Sequence, residues 1–130
     1  MVSGNIERFG KKMRKNKNFL QSIQCAAKGI YDGFLFERNF KIYCIIALLF
    51  FIGNIVLSSN RYEYCLFVIL VAMVFIAEYI NTAIERIVDT MGTEENEDYR
   101  FIKDVAAGAV LVSGIAFFCV EGMILLPHIL

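Results

Sequence analysis

Residues 65–89 read CLFVILVAMVFIAEYINTAIERIVD, and a change of character inside this stretch decides how the chain folds. Thirteen consecutive apolar residues, Cys65–Ala77, precede a segment in which acidic and amide side chains return at intervals of three and four residues. The stretch does not show the period-2 alternation of a strand in a membrane barrel. It therefore predicts a helix that begins in an apolar environment and ends among polar groups.

Two further apolar runs, Ile42–Leu57 and Val105–Leu126, have the same helical character. A helix needs about 20 residues to cross the ~30 Å hydrocarbon core of a bilayer, and each run approaches or exceeds that length with its flanks. Of the 130 residues 58% are hydrophobic, with a mean hydropathy of +0.57. This composition excludes a soluble Rossmann or barrel enzyme, a disulfide-rich secreted module and a nucleic-acid-binding domain. We predict an all-α integral membrane protein with three transmembrane helices.

Basic residues are concentrated ahead of the first apolar run. Residues 1–41 carry nine Lys or Arg against three acids, and the link 58–64 holds only Arg61 and Glu63. By the positive-inside rule the N-terminus is cytoplasmic, so the hairpin 86–104 is cytoplasmic too and the C-terminus lies outside. The first 40 residues contain no apolar h-region, and we expect no cleavable signal peptide.

Residues 19–36 predict a helix of another kind. Their apolar side chains, among them Phe19, Ile23 and Ile30, share one side of a helical wheel. Following a basic tail, such a segment is typical of a helix that lies in the membrane interface. We therefore interpret 1–130 as one domain, with a basic tail at 1–17, an interfacial helix at 18–37 and membrane helices at 40–58, 62–91 and 99–126.

The polar side chains of the quoted stretch share one helical face. At 100° per residue, Glu78, Asn81, Thr82, Glu85 and Asp89 fall within an arc of about 100°, and we call these five residues the polar stripe. An ionisable side chain within a span is costly and indicates function by default. Glu78 lies deepest, so we predict a desolvated general base; the alternative is a structural glutamate bonded to a neighbouring helix. For Asp89, a solvated interfacial acid fits equally well.

Other charged residues are placed at the same membrane depth. Mg²⁺ prefers oxygen ligands and often combines one or two carboxylates with substrate phosphates. Glu85 and Glu37 are the natural pair for such a site, although on spacing alone an ion pair of Glu37 with Arg38 or Lys41 is favoured. Lys103, beside Asp104, forms either a salt bridge with the stripe or a phosphate clamp.

Little chemistry is expected elsewhere in the chain. His128 is the single histidine, and the cysteines at 25, 44, 65 and 119 have neither zinc nor disulfide spacing. Glu121 lies about 24 Å along its helix from Val105, near the outer interface, where we expect it to be solvated.

The motifs E-R-N-F at 37–40, E-Y-I-N-T-A-I-E-R-I-V-D at 78–89 and K-D-V-A-A-G-A-V at 103–110 closely resemble those of one family. They are similar to the prokaryotic diacylglycerol kinases, small bacterial membrane lipid kinases, in register over about residues 18–126. The E-R-N-F form is more similar to the branch that phosphorylates undecaprenol than to the branch acting mainly on diacylglycerol. The resemblance implies ATP- and Mg²⁺-dependent phosphorylation of a lipid hydroxyl at the cytoplasmic face of the bacterial inner membrane, by a homotrimer with shared active sites.

The resemblance also implies roles for individual residues. Glu78 matches the catalytic base, Glu37 and Glu85 match metal-binding carboxylates, and Asn81 and Asp89 match supporting polar residues. The lipid is expected beside Glu78 and Asn39. The nucleotide is expected at Glu37, Glu85, Glu94, Glu95, Asn96, Lys103 and Asp104. Glu95 and Asn96 replace the Tyr and His that are common in the family, so the hairpin departs from its pattern.

Two non-enzymatic classes compete with the kinase. A small oligomeric proton or cation transporter could use Glu78 as an ion site, since intramembrane acids often mark ion pathways; its weakness is that the acids crowd one interface. An assembly subunit could use the polar stripe to bind a partner. ATP turnover that depends on added lipid separates the kinase from both, and the choice between undecaprenol and diacylglycerol requires a direct assay.

Overall fold

The computed structural model describes residues 18–92 and 95–130, and these residues form four helices without a strand among them. In chain order the helices are α1 (Phe19–Phe36), α2 (Arg38–Val56), α3 (Arg61–Met91) and α4 (Glu97–Ile129). The predicted fold class, one helix followed by three long apolar helices, is confirmed. The basic tail at 1–17 and the candidate residue Glu94 lie outside the described residues.

Helix α1 lies in one compact unit and residues 37–130 form another. None of its residues is buried, and Phe19 and Tyr31 are 80% and 63% exposed. An amphipathic helix with an uncovered apolar side suits the membrane interface. Its placement there stays a prediction.

The core of the second unit is largely aromatic. Phe67, Leu70 and Val74 of α3 pack with Phe117 of α4, and these four buried side chains are named here the central cluster. From α2, Phe50 meets Phe117 edge to face with ring centroids 5.0 Å apart. Helices α3 and α4 pack on each other more extensively than α2 packs on either.

Helices α2, α3 and α4 are each long and apolar enough to cross a membrane. Many of their large apolar side chains face away from the core; Leu48, Ile69 and Val112 are 58%, 55% and 67% exposed. Continuous apolar surface of this kind is unfavourable in water and matches the hydrocarbon of a bilayer. The chain is a membrane protein with three candidate spans, as its sequence predicts.

Polar residues at the helix ends set the helix boundaries. At the start of α3, the Asn60 side chain accepts a hydrogen bond from the Glu63 amide while the Glu63 carboxylate accepts one from the Asn60 amide, which forms a capping box. Asn96 caps α4 by accepting from the Asp98 amide at 2.9 Å. Helix α4 consequently begins at Glu97 rather than at 99, and it continues past Pro127 to Ile129. Pro127 has no backbone N–H, so the helix lacks the hydrogen bond that this residue would donate to the residue four before it.

Glu121 is not solvated, and the expectation for it was wrong. The side chain is fully buried, and its Oε2 accepts a hydrogen bond from Asn54 Nδ2 at 2.9 Å. Ser59 Oγ donates to Asn54 Oδ1 at 2.7 Å. Asn54 comes from α2, so the partner that buries Glu121 is supplied by a different helix. We call Asn54, Ser59 and Glu121 the distal cluster, because they lie where α2 and α4 end.

Candidate active site

Glu78 is the most deeply buried acid of the polar stripe, with 2% of its surface exposed. Asn39, in the first turn of α2, donates from Nδ2 to Glu78 Oε1 at 2.9 Å. One turn further along α2, Tyr43 lines the same cleft, and its hydroxyl lies within electrostatic range of this carboxylate. The acid is therefore removed from solvent and held from a neighbouring helix. The same hydrogen bond fits both roles considered for Glu78, the general base and the structural glutamate.

A cleft of about 400 Å³ opens beside Glu78. Its polar end carries Asn39, Glu78, Asn81 and Glu85, four of the predicted site residues. The remainder is apolar and comes mainly from α4, with Val110, Leu111, Ile115 and Phe118. A molecule with a polar head and an apolar chain matches this division.

Two polar atoms on the stripe lack partners in the described residues. Asn81 is 6% exposed, and its Nδ2 donates to Glu85 Oε1 at 3.4 Å. Asn81 Oδ1 and the Thr82 hydroxyl oxygen are buried without a hydrogen bond. Because buried polar atoms are rarely left unpaired, these oxygens indicate a place where a ligand, ion or water completes the site.

Glu37 occupies the N-cap position of α2 but makes no capping hydrogen bond through its side chain. In the described part of the chain it forms no ion pair, so the alternative pairing with Arg38 or Lys41 is not observed. Among residues 18–92 and 95–130, His, Cys, Asp and Glu side chains do not gather in threes around a metal position. An ion shared by Glu37 and Glu85 would therefore require additional oxygen ligands from amide groups or a substrate.

Lys103 and Asp89 join α4 to α3 through an ion pair, with Nζ and Oδ1 2.6 Å apart. Both side chains are partly exposed, at 39% and 60%. Glu85 also lies within electrostatic range of Lys103. The salt bridge proposed as one of two roles for Lys103 is thus present in this structure, and it links the lysine to the polar stripe.

A second cavity, of about 260 Å³, lies between the adjoining ends of α3 and α4. It brings together four of the predicted nucleotide residues, Glu95, Asn96, Lys103 and Asp104, with Asp89. Tyr99 and Arg100 also line it and were missed by the sequence analysis. Arg100 lies three residues before Lys103, and such spacing puts two cations on one helical face, which was the available signal. Asn96 uses its side-chain oxygen to cap α4.

The fold and this site define a small membrane protein in which a buried carboxylate lies at the polar end of a largely apolar cleft. A model of the prokaryotic diacylglycerol kinase family matches residues 24–125. The diacylglycerol kinase of Synechocystis sp. is 34% identical over 126 residues, covering 92% of this chain and 72% of its own. The undecaprenol kinase of Bacillus subtilis is 30% identical over 111 residues, covering 85% and 90%. The diacylglycerol kinase of Haemophilus influenzae is 25% identical over 107 residues, covering 82% and 87%. The chain belongs to the prokaryotic diacylglycerol kinase family.

Proposed function

We propose that the protein phosphorylates the hydroxyl group of a membrane lipid, with ATP as donor and Mg²⁺ as cofactor, at the cytoplasmic face of the membrane. The observation that carries this proposal is the buried Glu78 at the polar end of a cleft whose other walls are apolar. The relatives support a lipid acceptor, since their names specify diacylglycerol or undecaprenol. We favour undecaprenol because the E-R-N-F motif resembles that branch, with diacylglycerol as the other candidate.

Glu78 is proposed as the general base. In the transfer, the lipid oxygen forms a bond to the γ-phosphorus while the bond between that phosphorus and the β–γ bridging oxygen breaks. ADP leaves, and the hydroxyl proton passes to the Glu78 carboxylate. Asn39 lies beside the same point of the cleft, where the lipid hydroxyl is proposed to bind. The family's phosphoryl transfer depends on positioning and charge more than on covalent chemistry.

The charge of the stripe supports a requirement for a cation. Glu78 and Glu85 follow one helical face, and a polyphosphate approaching these two carboxylates is repelled unless positive charge accompanies it. Glu37, Glu85 and the unpaired Asn81 Oδ1 offer the oxygen donors that Mg²⁺ prefers. When bound, Mg²⁺ would neutralise charge on the phosphates.

The nucleotide is proposed to lie across the second cavity. Lys103 would leave Asp89 to contact a phosphate, with Arg100 adding a second cation, while Asp104, Glu95, Asn96 and Glu94 complete the expected contacts. The position of this cavity one helical turn from Glu85 supports a donor whose phosphates reach the cleft. Asp89 would then keep Lys103 correctly placed between turnovers.

The assembly is proposed to be a homotrimer with active sites shared between subunits, and its N-terminus and active site to be cytoplasmic. An apolar groove of about 670 Å³ between α3 and α4 supports subunit association. Ala77, Ala106 and Ala109 line it together with larger apolar side chains, and small residues allow close helix packing in membranes. Asn81 also lines this groove, so a neighbouring subunit seated there would lie close to the stripe.

The transporter alternative gains one observation, because Glu121 is a second buried acid at the distal end. The central cluster lies along α3 and α4 between Glu78 and Glu121, however, and its side chains are apolar. A conducted ion or proton would have to pass this cluster without polar partners. We therefore place the kinase first.

The decisive experiment is transfer of radiolabelled phosphate from ATP to undecaprenol and to diacylglycerol in mixed micelles, with and without Mg²⁺. Glu78→Gln should lower turnover by about 10²–10⁴-fold and leave ATP binding and assembly intact, since the proposed phosphate ligands are other residues. Glu63→Gln is the matched control, because glutamine also serves in a capping box. Absence of lipid phosphorylation by the native protein refutes the function. A near-native rate for Glu78→Gln refutes the assignment of the base.

A further inference from the structure

Two consecutive residues of α2 face two consecutive residues of α3 at the site. Asn39 donates to Glu78, and Phe40, which is fully buried, packs against Tyr79 with ring centroids 4.2 Å apart and ring planes tilted by 34°. The packing of Phe40 thereby fixes the register of α2 against α3 at the position where Asn39 reaches the carboxylate. The hydrogen bond between Asn39 and Glu78 therefore depends on how α2 packs against α3.

Tyr43 lies on the same face of α2, because residues four apart on a helix are neighbours. Its ring packs against the central cluster and closes one side of a small apolar cavity of about 60 Å³. Tyr43 also lines the cleft that contains Glu78. With the ring held by packing, the hydroxyl has little freedom to turn elsewhere.

A carboxylate that is 2% exposed has almost no water to fix its orientation. Its side chain has several rotamers, and a base must present its oxygen to the lipid hydroxyl within hydrogen-bond distance. The hydrogen bond from Asn39, with Tyr43 lining the same cleft, restricts this freedom.

We propose that Asn39 and Tyr43 are positioning residues that hold the Glu78 carboxylate in its orientation for proton transfer. This inference rests on the proposed kinase function. It also assigns Asn39 a role through Glu78 rather than through a direct contact with the lipid. Neither residue touches the reacting phosphorus, so both act on the chemical step and not on the affinity for ATP.

The test compares Asn39→Leu and Tyr43→Phe with Tyr62→Phe, a matched control at a side chain that is 79% exposed near the start of α3. Loss of a hydrogen bond to a charged group corresponds to about 10–100-fold in rate. We expect kcat to fall by about 10-fold or more in Asn39→Leu and by about 3–10-fold in Tyr43→Phe. KM for ATP and for lipid should stay within about twofold of native. Asn39→Ser gives a second variant if the leucine disturbs folding.

The same substitutions are then made in a Glu78→Gln background and measured with radiolabelled ATP over long incubations. Residues that act through the base should cause no further loss once it is absent, because effects within one catalytic unit are not additive. If the rate of the Glu78→Gln background falls below detection, the single variants decide: a lower kcat with unchanged KM values supports the positioning role.

The outcomes separate this inference from the proposed function. A native protein without lipid kinase activity refutes the function itself. With an active native protein, unchanged kcat in both variants overturns the positioning role. A raised KM for lipid at constant kcat overturns it in favour of direct lipid contact. Lost assembly in Asn39→Ser and Tyr43→Phe, or an equal further loss in the Glu78→Gln background, overturns it in favour of a structural role.

Discussion

Substitutions at Asn54 and Glu121 of the distal cluster should lower the free energy of unfolding by different amounts, and the hydrogen bonds predict which one destabilises the protein more. Asn54 Nδ2 donates both to Glu121 Oε2 and to the Phe50 carbonyl oxygen, each at 2.9 Å. Asn54→Leu leaves the fully buried Glu121 carboxyl without a hydrogen bond from the described residues, because Oε2 loses its donor and Oε1 already lacks a partner there. A buried polar group left unpaired costs about 1–3 kcal/mol. We expect Asn54→Leu to lower the free energy of unfolding by that amount.

Glu121→Leu removes the group that needs a partner. Asn54 then keeps its bonds to the Phe50 carbonyl and to Ser59 Oγ, and the leucine gains apolar contact. Replacing both members of a buried polar pair by apolar groups can be nearly neutral. The double variant with Asn54→Leu and Glu121→Leu should therefore be more stable than Asn54→Leu alone by about 1 kcal/mol or more.

Reversible unfolding in mixed micelles, titrated with a denaturing detergent and followed by circular dichroism, measures these differences. Cys119→Leu, at an exposed position on α4, controls for adding a leucine. The reasoning is refuted if Glu121→Leu destabilises the protein as much as Asn54→Leu does and the double variant shows the sum. That result would mean that the Glu121 carboxyl contributes stability that its one observed hydrogen bond does not explain.

Three further predictions concern the polar stripe, the second cavity and the membrane topology. Glu85→Gln should raise the Mg²⁺ concentration needed for half-maximal rate by about tenfold, measured by metal titration at saturating ATP; an unchanged metal response with a native rate removes Glu85 from the site. Lys103→Met should raise KM for ATP by about tenfold or more, since it deletes a charged hydrogen bond to phosphate, whereas an unaltered KM would leave Lys103 only its salt bridge to Asp89. Reporter fusions should place residue 60 and the C-terminus outside and residue 95 inside, and a cytoplasmic C-terminus would contradict the charge argument.

The spans and the stripe were predictable because both depend on properties internal to one helix. The apolar runs set the three long helices, and the spacing from Glu78 to Asp89 set a common face before any neighbour was known. Residues whose environment depends on a second helix were not predictable. Tyr43 lies in an apolar run, where a tyrosine is usually a core residue, and only the register of α2 against α3 brings its hydroxyl to Glu78. Glu121 was placed in solvent for the same reason, since its partner Asn54 lies 67 residues away in the sequence.

Two hydrogen bonds join α2 to its neighbours, one from Asn39 to Glu78 of α3 and one from Asn54 to Glu121 of α4. This helix has less packing against α3 and α4 than they have with each other, yet it is hydrogen-bonded near both ends, at Asn39 and at Asn54. The two positions are 15 residues apart, or about 22 Å along the helix axis. In a bilayer, apolar burial does little to hold one helix against another, so polar bonds and close packing carry more of the association. The distal bond therefore helps to hold the helix whose first turn supports Glu78. Substitution of Asn54 should therefore affect the active site indirectly, because α2 can then shift, whereas substitution of Asn39 alters the site directly.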